Sequence, residues 1–276
     1  MGASSVSYKS AVSCKAAVLG HPIAHSLSPV LHRAALRELG LDVDYSAIDV
    51  TEDALPSFVE SLDASWVGLS LTMPLKTKII EIVPSRDDLV ELTQSANTVF
   101  RLSDGEFSLT NTDVFGIEKA VRESGLDHAD RVLILGSGAT ARSAVVAARN
   151  LGAEKITVQA RNEQAINQIL SLISRLGISA SSGELDTSQT EDYDLVISTL
   201  PPLVPELESA AISRETTAVL LDVTYSPWPT ALARLWPTSK VISGKEMLLW
   251  QATRQCELFY GNPAPVAAMR ESLSFA

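Results

Sequence analysis

The sequence has 276 residues, of which 46% are hydrophobic and 20% are charged, as is typical of a globular protein of one or two domains. It carries 22 Lys and Arg against 33 Asp and Glu, a formal net charge of −11. This charge argues against nucleic acid or an anionic membrane surface as a partner. No apolar run approaches the length that spans a membrane.

The two cysteines, Cys14 and Cys256, lie far apart and not in the spacing of a metal site. This excludes a disulfide framework and gives no indication of zinc. Free thiols are typical of a reducing compartment, so the sequence predicts a cytoplasmic protein.

The first predicted strand, at 16–19, is followed by a loop at 20–29 and by a helix that Gly40 ends. Ser28 precedes Pro29 and fits a helix N-cap with proline at the first helical position. Ser26 has no evident capping duty. Two hydroxyls at a helix start could instead bind a carboxylate, and both interpretations stay open.

A second strand at 45–50, a helix at 52–62 and a third strand at 66–71 come next. This alternation predicts a parallel α/β arrangement with right-handed connections. Ligands bind at the carboxyl ends of such strands, so the loop at 20–29 and the segment at 72–76 share one edge. Lys76 in that segment is either a ligand-facing cation or a surface lysine.

Two Asn-Thr pairs, at 97–98 and 111–112, flank a hairpin-like segment. The asparagines could be turn residues. Asp113 follows the second pair and is either the N-cap of the next helix or a carboxylate partner for Lys76. In the second case the two residues form an acid–base pair.

A glycine turn at 136–141 joins a predicted strand at 131–135 to a predicted helix at 139–151. Gly136 and Gly138 let the backbone turn tightly beside a pyrophosphate, and Ala141 takes the third small position. The free N–H groups of the helix start then face the anion. The turn predicts a dinucleotide site.

Arg161 favours NADP over NAD as the dinucleotide. It directly follows a predicted strand at 155–160, at the place about twenty residues beyond the turn where an acid would bind the ribose of NAD. An arginine there can pair with a 2′-phosphate. Asn162 either adds a hydrogen bond or caps the next helix.

Further strands are predicted at 194–198, 218–223 and 241–242, then helices at 245–260 and 263–275. The fold class is α/β with two α/β domains. An N-terminal substrate domain with a mostly parallel sheet takes 1–111 plus 248–276. A Rossmann-type dinucleotide-binding domain takes 112–247.

Blocks in one order along nearly the whole chain resemble the shikimate dehydrogenase family. They are the S-x-S-P loop at 20–29, T-x-P-x-K at 71–76, S-A-N-T at 95–98, N-T-D at 111–113, the glycine turn, D-V-T-Y-S-P at 222–227 and G-K-E-M-L-L-W-Q at 244–251.

The resemblance implies an NADP-dependent oxidoreductase acting on a CH–OH group. Its reaction is the reversible reduction of 3-dehydroshikimate to shikimate, in chorismate and aromatic amino-acid biosynthesis. An ammonium beside the reacting oxygen would stabilise its growing negative charge and supply the proton, with no metal needed.

The resemblance also implies roles for single residues. Ser26 and Ser28 would bind the substrate carboxylate, and Thr72, Asn97 and Gln251 would hydrogen-bond the ring hydroxyls. Lys76 and Asp113 would be the polar pair at the C3 oxygen, and Tyr225 matches a position near the substrate.

A larger set is expected to contact the cofactor, NADP(H). Met247 is as well explained by core packing. The set is Gly136, Ser137, Gly138, Ala139, Thr140, Ala141, Ala160, Arg161, Asn162, Thr199, Val223, Gly244 and Met247.

Some positions depart from the family pattern. Ser137 and Thr140 stand where alanine and another small residue are usual, and Val114 replaces a glycine. Gln164 lies where a second basic residue often follows Arg161, so the preference for NADP over NAD is expected to be incomplete.

Two rival functions stay open. One is a quinate/shikimate dehydrogenase that uses NAD, and the other is a non-catalytic NADP-binding sensor of the same fold. The oligomeric state is undetermined, a homodimer being one alternative.

Overall fold

The chain divides into two compact units. The computed structural model describes residues 14–188, 190–202, 204 and 216–275. Unit 1 comprises Met1–Thr112 and Gln251–Ala276, and unit 2 comprises Asp113–Trp250. No helix in the described part of the chain is long and apolar enough to cross a bilayer.

Unit 1 is built on a five-stranded sheet of order β2-β1-β3-β4-β5. Its elements are β1 (Cys14–Gly20), α1 (Ser28–Leu39), β2 (Val43–Asp49), α2 (Leu55–Glu60), β3 (Trp66–Leu71), α3 (Leu75–Lys78), α4 (Asp88–Thr93), β4 (Thr98–Arg101) and β5 (Phe107–Thr110). The central strand β1 pairs in parallel with both neighbours, and only the β3–β4 and β4–β5 pairs are antiparallel. The mostly parallel sheet predicted for this part of the chain is confirmed.

The C-terminal helices complete unit 1. They are α9 (Gly244–Tyr260), which supplies its residues from Gln251 onward, and α10 (Val266–Ser272). At Gly68 of β3 an added Cβ would overlap the ring of Phe259, so the missing side chain lets α9 approach the sheet closely.

Unit 2 contains a six-stranded, all-parallel sheet of order β11-β10-β9-β6-β7-β8. Its elements are α5 (Asp113–Glu123), β6 (Arg131–Leu135), α6 (Ala139–Asn150), β7 (Lys155–Gln159), α7 (Glu163–Arg175), β8 (Ser179–Gly183), β9 (Leu195–Ser198), β10 (Val219–Asp222), α8 (Ala231–Leu235) and β11 (Val241–Ser243). Counted from β6, this is the order 6-5-4-1-2-3 of a dinucleotide-binding Rossmann sheet, so the Rossmann prediction is confirmed.

The N-cap prediction for Ser28 is wrong. Ser28 is the first helical residue of α1, and the capping residue Leu27 offers no side-chain bond. The hydroxyl of Ser26 instead accepts a bond from the Ser28 N–H at 3.3 Å. Ser26 therefore contributes a local hydrogen bond at the start of α1, although neither serine caps the helix.

Two other elements differ from their predictions. The helix expected at 52–62 covers only Leu55–Glu60, because Pro56 is tolerated in the first turn and not in a helix interior. Strand β8 was not predicted, since its sequence SASSG lacks the apolar residues that mark a strand.

Candidate active site

Two loops of unit 1 lie side by side at the carboxyl edge of its sheet. The His21 N–H donates to the Met73 carbonyl at 3.1 Å, and the Thr72 N–H donates to the Leu19 carbonyl at 2.9 Å. A side chain at Gly20 would overlap Thr72, so the glycine permits this contact. The loop of Ser26 and Ser28 is thereby brought to the same edge as the segment that carries Thr72 and Lys76.

The last residue of β2, Asp49, anchors the loop that precedes Ser26. Its carboxylate contacts His21 Nδ1 at 2.6 Å and accepts the Ile23 N–H at 3.3 Å. The hydrogen bond from His21 is the main reason that the pKa of Asp49 lies below its usual value. The signal in the sequence for this contact is an acid at the end of a neighbouring parallel strand.

The two serines differ in exposure. Ser26 is half-buried, while Ser28 is 5% exposed and its hydroxyl reaches the phenol of Tyr45. Burial raises the pKa of Tyr45, and its hydrogen bonds with Ser70, to which it donates, and with Ser28 oppose that shift. Ser28 is therefore part of a buried polar cluster as well as of the loop edge.

Lys76 lies on the short helix α3, directly after β3, and is half-buried. Its carbonyl accepts the Ala96 N–H at 2.8 Å, and the Leu71 N–H donates to the Asn97 carbonyl at 2.7 Å. These two bonds hold the chain around Asn97 against the end of β3 and the start of α3.

Asn97 and Gln251, predicted as substrate ligands, contact each other inside unit 1. Asn97 Nδ2 donates to Gln251 Oε1 at 3.3 Å. Asn97 Oδ1 accepts the Thr112 N–H at 2.8 Å and the Thr98 hydroxyl at 2.8 Å. Both amides are almost fully buried, so their positions depend on these bonds.

A third amide, Gln255, lies one helical turn after Gln251 on α9 and was missed by sequence reasoning. Its Nε2 donates to the Asn97 carbonyl at 3.2 Å and to Thr98 Oγ1 at 2.9 Å. Its Oε1 accepts from Ser70 Oγ at 2.8 Å and contacts His32 Nε2 at 3.3 Å. We call Asn97, Gln251 and Gln255 together the amide network.

His32 is hydrogen-bonded to the amide network and lies in the core of unit 1. It is fully buried, stacks on Tyr45 with ring centroids 4.0 Å apart, and its Nδ1 lies 3.1 Å from the Tyr260 hydroxyl. Burial lowers the pKa of His32 to about 3, so the ring is neutral at physiological pH. The same burial raises the pKa values of Tyr260 and Cys256.

The glycine turn of unit 2 lies where the strand order reverses, between β6 and β9. Gly136 has φ 106°, which favours glycine, and an added Cβ there would overlap the Thr199 hydroxyl. Thr199 in turn donates its N–H and its hydroxyl to the Leu135 carbonyl at 2.8 and 2.9 Å. Open α/β sheets bind their ligands at this reversal of strand order.

The open space beside the backbone of Gly138 fits the close approach of a pyrophosphate. This residue precedes α6, supplies no side-chain cap, and an added Cβ there would meet no protein atom within 4 Å. Its glycine is therefore not required by protein packing, as expected where a ligand approaches the backbone. Ala141 is fully buried, so it packs the helix against the sheet.

Arg161 is exposed after β7, and Asn162 caps α7, with its Oδ1 accepting the Ala165 N–H at 3.0 Å. The capping interpretation of Asn162 is thus confirmed. A cavity of about 630 Å³ opens beside Arg161. Glu163 and Glu184 also line it, so acidic residues as well as the arginine border this cavity.

The loop after β10 carries Val223 and Tyr225. Asp222 holds it by accepting the Thr224 N–H at 3.1 Å and the Thr230 hydroxyl at 2.6 Å. Burial raises the pKa of Asp222. Tyr225 is half-buried in this loop.

Gly244 and Met247 lie at the start of α9. An added Cβ at Gly244 would overlap the Val223 carbonyl, so this glycine permits a close backbone contact within unit 2. Met247 is 7% exposed, which agrees with its core-packing alternative.

Asp113 is the first residue of α5 and is 3% exposed. It belongs to unit 2, whereas Lys76 belongs to unit 1. Within the described residues, no group of three or more His, Cys, Asp or Glu could hold a metal ion.

Comparison with known proteins gives consistent matches. A family model described as the shikimate dehydrogenase substrate binding domain matches residues 18–99, and one described as the shikimate 5'-dehydrogenase C-terminal domain matches residues 244–273. A shikimate dehydrogenase (NADP(+)) of Microcystis aeruginosa is 33% identical, over 93% of this chain and 94% of that protein.

Solved structures agree. Shikimate dehydrogenase of Mycobacterium tuberculosis is 39% identical with a TM-score of 0.85, covering 95% of this chain and 99% of that one. Shikimate 5-dehydrogenase of Thermus thermophilus, in complex with NADP(H) and shikimate, is 29% identical with a TM-score of 0.79 over 95% and 99%.

Proposed function

The chain belongs to the shikimate dehydrogenase family, and from this premise we propose that it reduces 3-dehydroshikimate reversibly to shikimate with NADPH. The observation that carries the proposal is the contact between Asn97 and Gln251. These residues are 154 positions apart, and the family resemblance predicted both as ligands of the same substrate.

We propose that unit 1 binds the substrate. Ser26 and Ser28 bind its carboxylate, and Thr72, Asn97 and Gln251 bind its ring hydroxyls. The bonds between the β1 and β3 loops support this assignment, because they bring the serines and Thr72 to one edge of the sheet. Tyr225 of unit 2 is proposed as a further substrate contact.

Lys76 and Asp113 are proposed as the catalytic pair. Reduction of the ketone places negative charge on its oxygen, and the Lys76 ammonium stabilises that charge and delivers a proton. The Asp113 carboxylate holds the ammonium in its working position. NADPH, when bound, supplies the hydride.

Unit 2 is proposed to bind NADP. The turn residues Gly136, Ser137, Gly138, Ala139, Thr140 and Ala141 present backbone N–H groups to the pyrophosphate. Arg161 pairs with the 2′-phosphate, with Ala160 and Asn162 beside it. Thr199, Val223, Gly244 and Met247 are proposed to line the remainder of the site.

A second candidate is a quinate/shikimate dehydrogenase that also uses NAD. It is favoured by Glu163 and Glu184, which line the cavity beside Arg161. Carboxylates there repel the 2′-phosphate of NADP, whereas NAD has no 2′-phosphate and does not meet this repulsion.

A panel of four reactions tests both candidates. Initial rates are measured with shikimate or quinate, each with NADP or NAD. We expect shikimate with NADP to give the highest kcat/KM. A faster quinate–NAD pair would support the second candidate, and binding of NADP without any turnover would support the sensor.

We further propose that the protein is cytoplasmic and forms a homodimer. Free Cys14 and Cys256 are consistent with a reducing compartment. Cell fractionation tests the location, and light scattering on the purified chain tests the oligomeric state, with the monomer mass contradicting the dimer.

A further inference from the structure

We propose that Gln255 is a positioning residue for substrate recognition, because it fixes the amide network so that Asn97 and Gln251 both present N–H donors. This inference rests on the proposed roles of Asn97 and Gln251 as substrate ligands. Gln255 itself lies behind them and takes no part in the proposed catalytic pair.

The orientation of Gln255 is set by a backbone group. The Asn97 carbonyl can only accept, so the Gln255 atom that lies 3.2 Å from it must be the amide nitrogen. Gln255 Oε1 therefore faces Ser70 and His32 and accepts from both. The neutral His32 ring must then carry its proton on Nε2, which leaves Nδ1 to accept the Tyr260 hydroxyl.

The orientation of Asn97 is set by a second backbone group. The Thr112 N–H can only donate, so the Asn97 atom 2.8 Å from it is the oxygen Oδ1. The same oxygen accepts the hydroxyl of Thr98, and that hydroxyl accepts from Gln255 Nε2. Gln255 thus holds Asn97 at two points, its carbonyl directly and its side chain through Thr98.

The orientation of Asn97 in turn determines the orientation of the Gln251 amide. Asn97 Nδ2 donates to Gln251 Oε1, so the end of the Gln251 amide that can donate to a ligand is Nε2. Any ligand oxygen that meets Asn97 Nδ2 and Gln251 Nε2 must therefore accept. Hydroxyl and carbonyl oxygens satisfy these donors, and an analogue that lacks the oxygen cannot form those hydrogen bonds.

Gln255→Leu tests the proposal. We measure kcat and KM for shikimate, KM for NADP, and rates with two shikimate analogues that each lack one unreactive ring hydroxyl. The variant should lose roughly 10- to 100-fold in kcat/KM for shikimate, as expected when oriented buried hydrogen bonds are lost. For the analogue that the wild type uses less well, the ratio of the rate with shikimate to the rate with the analogue should fall toward one. KM for NADP should stay unchanged.

Gln255→Glu keeps the size of the side chain and covers the case in which the leucine variant does not fold. Its ionised carboxylate cannot donate to the Asn97 carbonyl, whereas the protonated acid can. Its activity relative to the wild type should therefore rise as the pH is lowered, which a loss of packing would not produce.

Met269→Ala is the matched control, since Met269 is fully buried in unit 1 but lies on α10, outside the amide network. It should lower the melting temperature and keep wild-type discrimination. The proposal is overturned if Gln255→Leu discriminates as the wild type does, if the activity of Gln255→Glu relative to the wild type does not rise as the pH is lowered, or if Met269→Ala loses discrimination equally. If the wild type itself does not oxidise shikimate, the proposed function fails and the inference fails with it.

Discussion

The predicted ligand contacts of the two units are of different kinds. In unit 1 the predicted ligands are side-chain amides held by further buried side chains, such as Gln255 and His32. In unit 2 the turn at Gly136 and Gly138 offers backbone groups, and its requirement is the absence of side chains. Substitutions should therefore affect unit 1 through lost partners and unit 2 through added atoms.

Removal of the proposed proton donor should have the largest effect and should leave unit 2 intact. Lys76→Ala is expected to lower kcat by about 10²- to 10⁴-fold, the contribution typical of general acid–base catalysis. Titration of NADP should give an unchanged Kd. Lys78→Ala on the same short helix is the control, because Lys78 contacts Glu81 at 2.5 Å and has no proposed role. Unchanged turnover in Lys76→Ala would remove the lysine from the mechanism.

The two glycines of the turn separate a ligand effect from a folding effect. Gly138→Ala adds a methyl group that meets no protein atom, so its melting temperature should match the wild type. Binding of NADP should weaken by about 10- to 100-fold, the cost of forcing a methyl group into a close contact. Gly136→Ala, with φ 106° and the Thr199 overlap, should lower stability as well. Equal NADP affinity in Gly138→Ala would contradict a pyrophosphate at this turn.

Arg161 tests whether a side chain matters in the unit where backbone groups dominate. Arg161→Gln should raise KM for NADP by about 10-fold through the loss of a charge-assisted hydrogen bond, with KM for NAD little changed. Arg149→Gln removes an exposed arginine in the last turn of α6 and serves as the control. An equal rise in KM for NADP and for NAD would show that Arg161 does not bind the 2′-phosphate.

Titration of His32 should affect the stability of the folded protein. Its pKa of about 3 in the folded protein lies below the ordinary value of 6.5, so protons bind preferentially to the unfolded chain as the pH falls below 6.5. Between pH 7 and 5 this linkage should cost about 2 kcal/mol of unfolding free energy. Urea unfolding of the wild type and of His32→Gln measures it. The variant should be less stable at pH 7 and less sensitive to pH, and equal pH slopes would contradict the prediction.

Much of the fold could be predicted because buried parallel strands are continuous apolar runs. The structure gives β3 and β6 the bounds predicted for them, 66–71 and 131–135. Strand β8 was not predicted because polar residues form it. Its Ser181 hydroxyl contacts Thr157 on β7 instead of packing into a core. Ser28 fitted the pattern of an N-cap because it precedes a proline, but it is the first helical residue of α1.

The candidate site was predictable where a residue follows a strand, as for Thr72, Lys76 and the glycine turn. Gln255 was not predictable in this way. Its partners Asn97, Ser70 and His32 are 158, 185 and 223 positions away in the sequence. A glutamine on an amphipathic helix gives no local sign that such partners exist.

The fixed direction of the hydrogen bonds around His32 also limits where the reaction's proton can come from. His32 is a titratable ring joined by continuous hydrogen bonds to the predicted substrate ligands. The links between them are amides, whose nitrogen donates and whose oxygen accepts without exchanging these roles. Such a series of bonds fixes a geometry but does not relay a proton, so His32 is not expected to act as a second acid for the ketone.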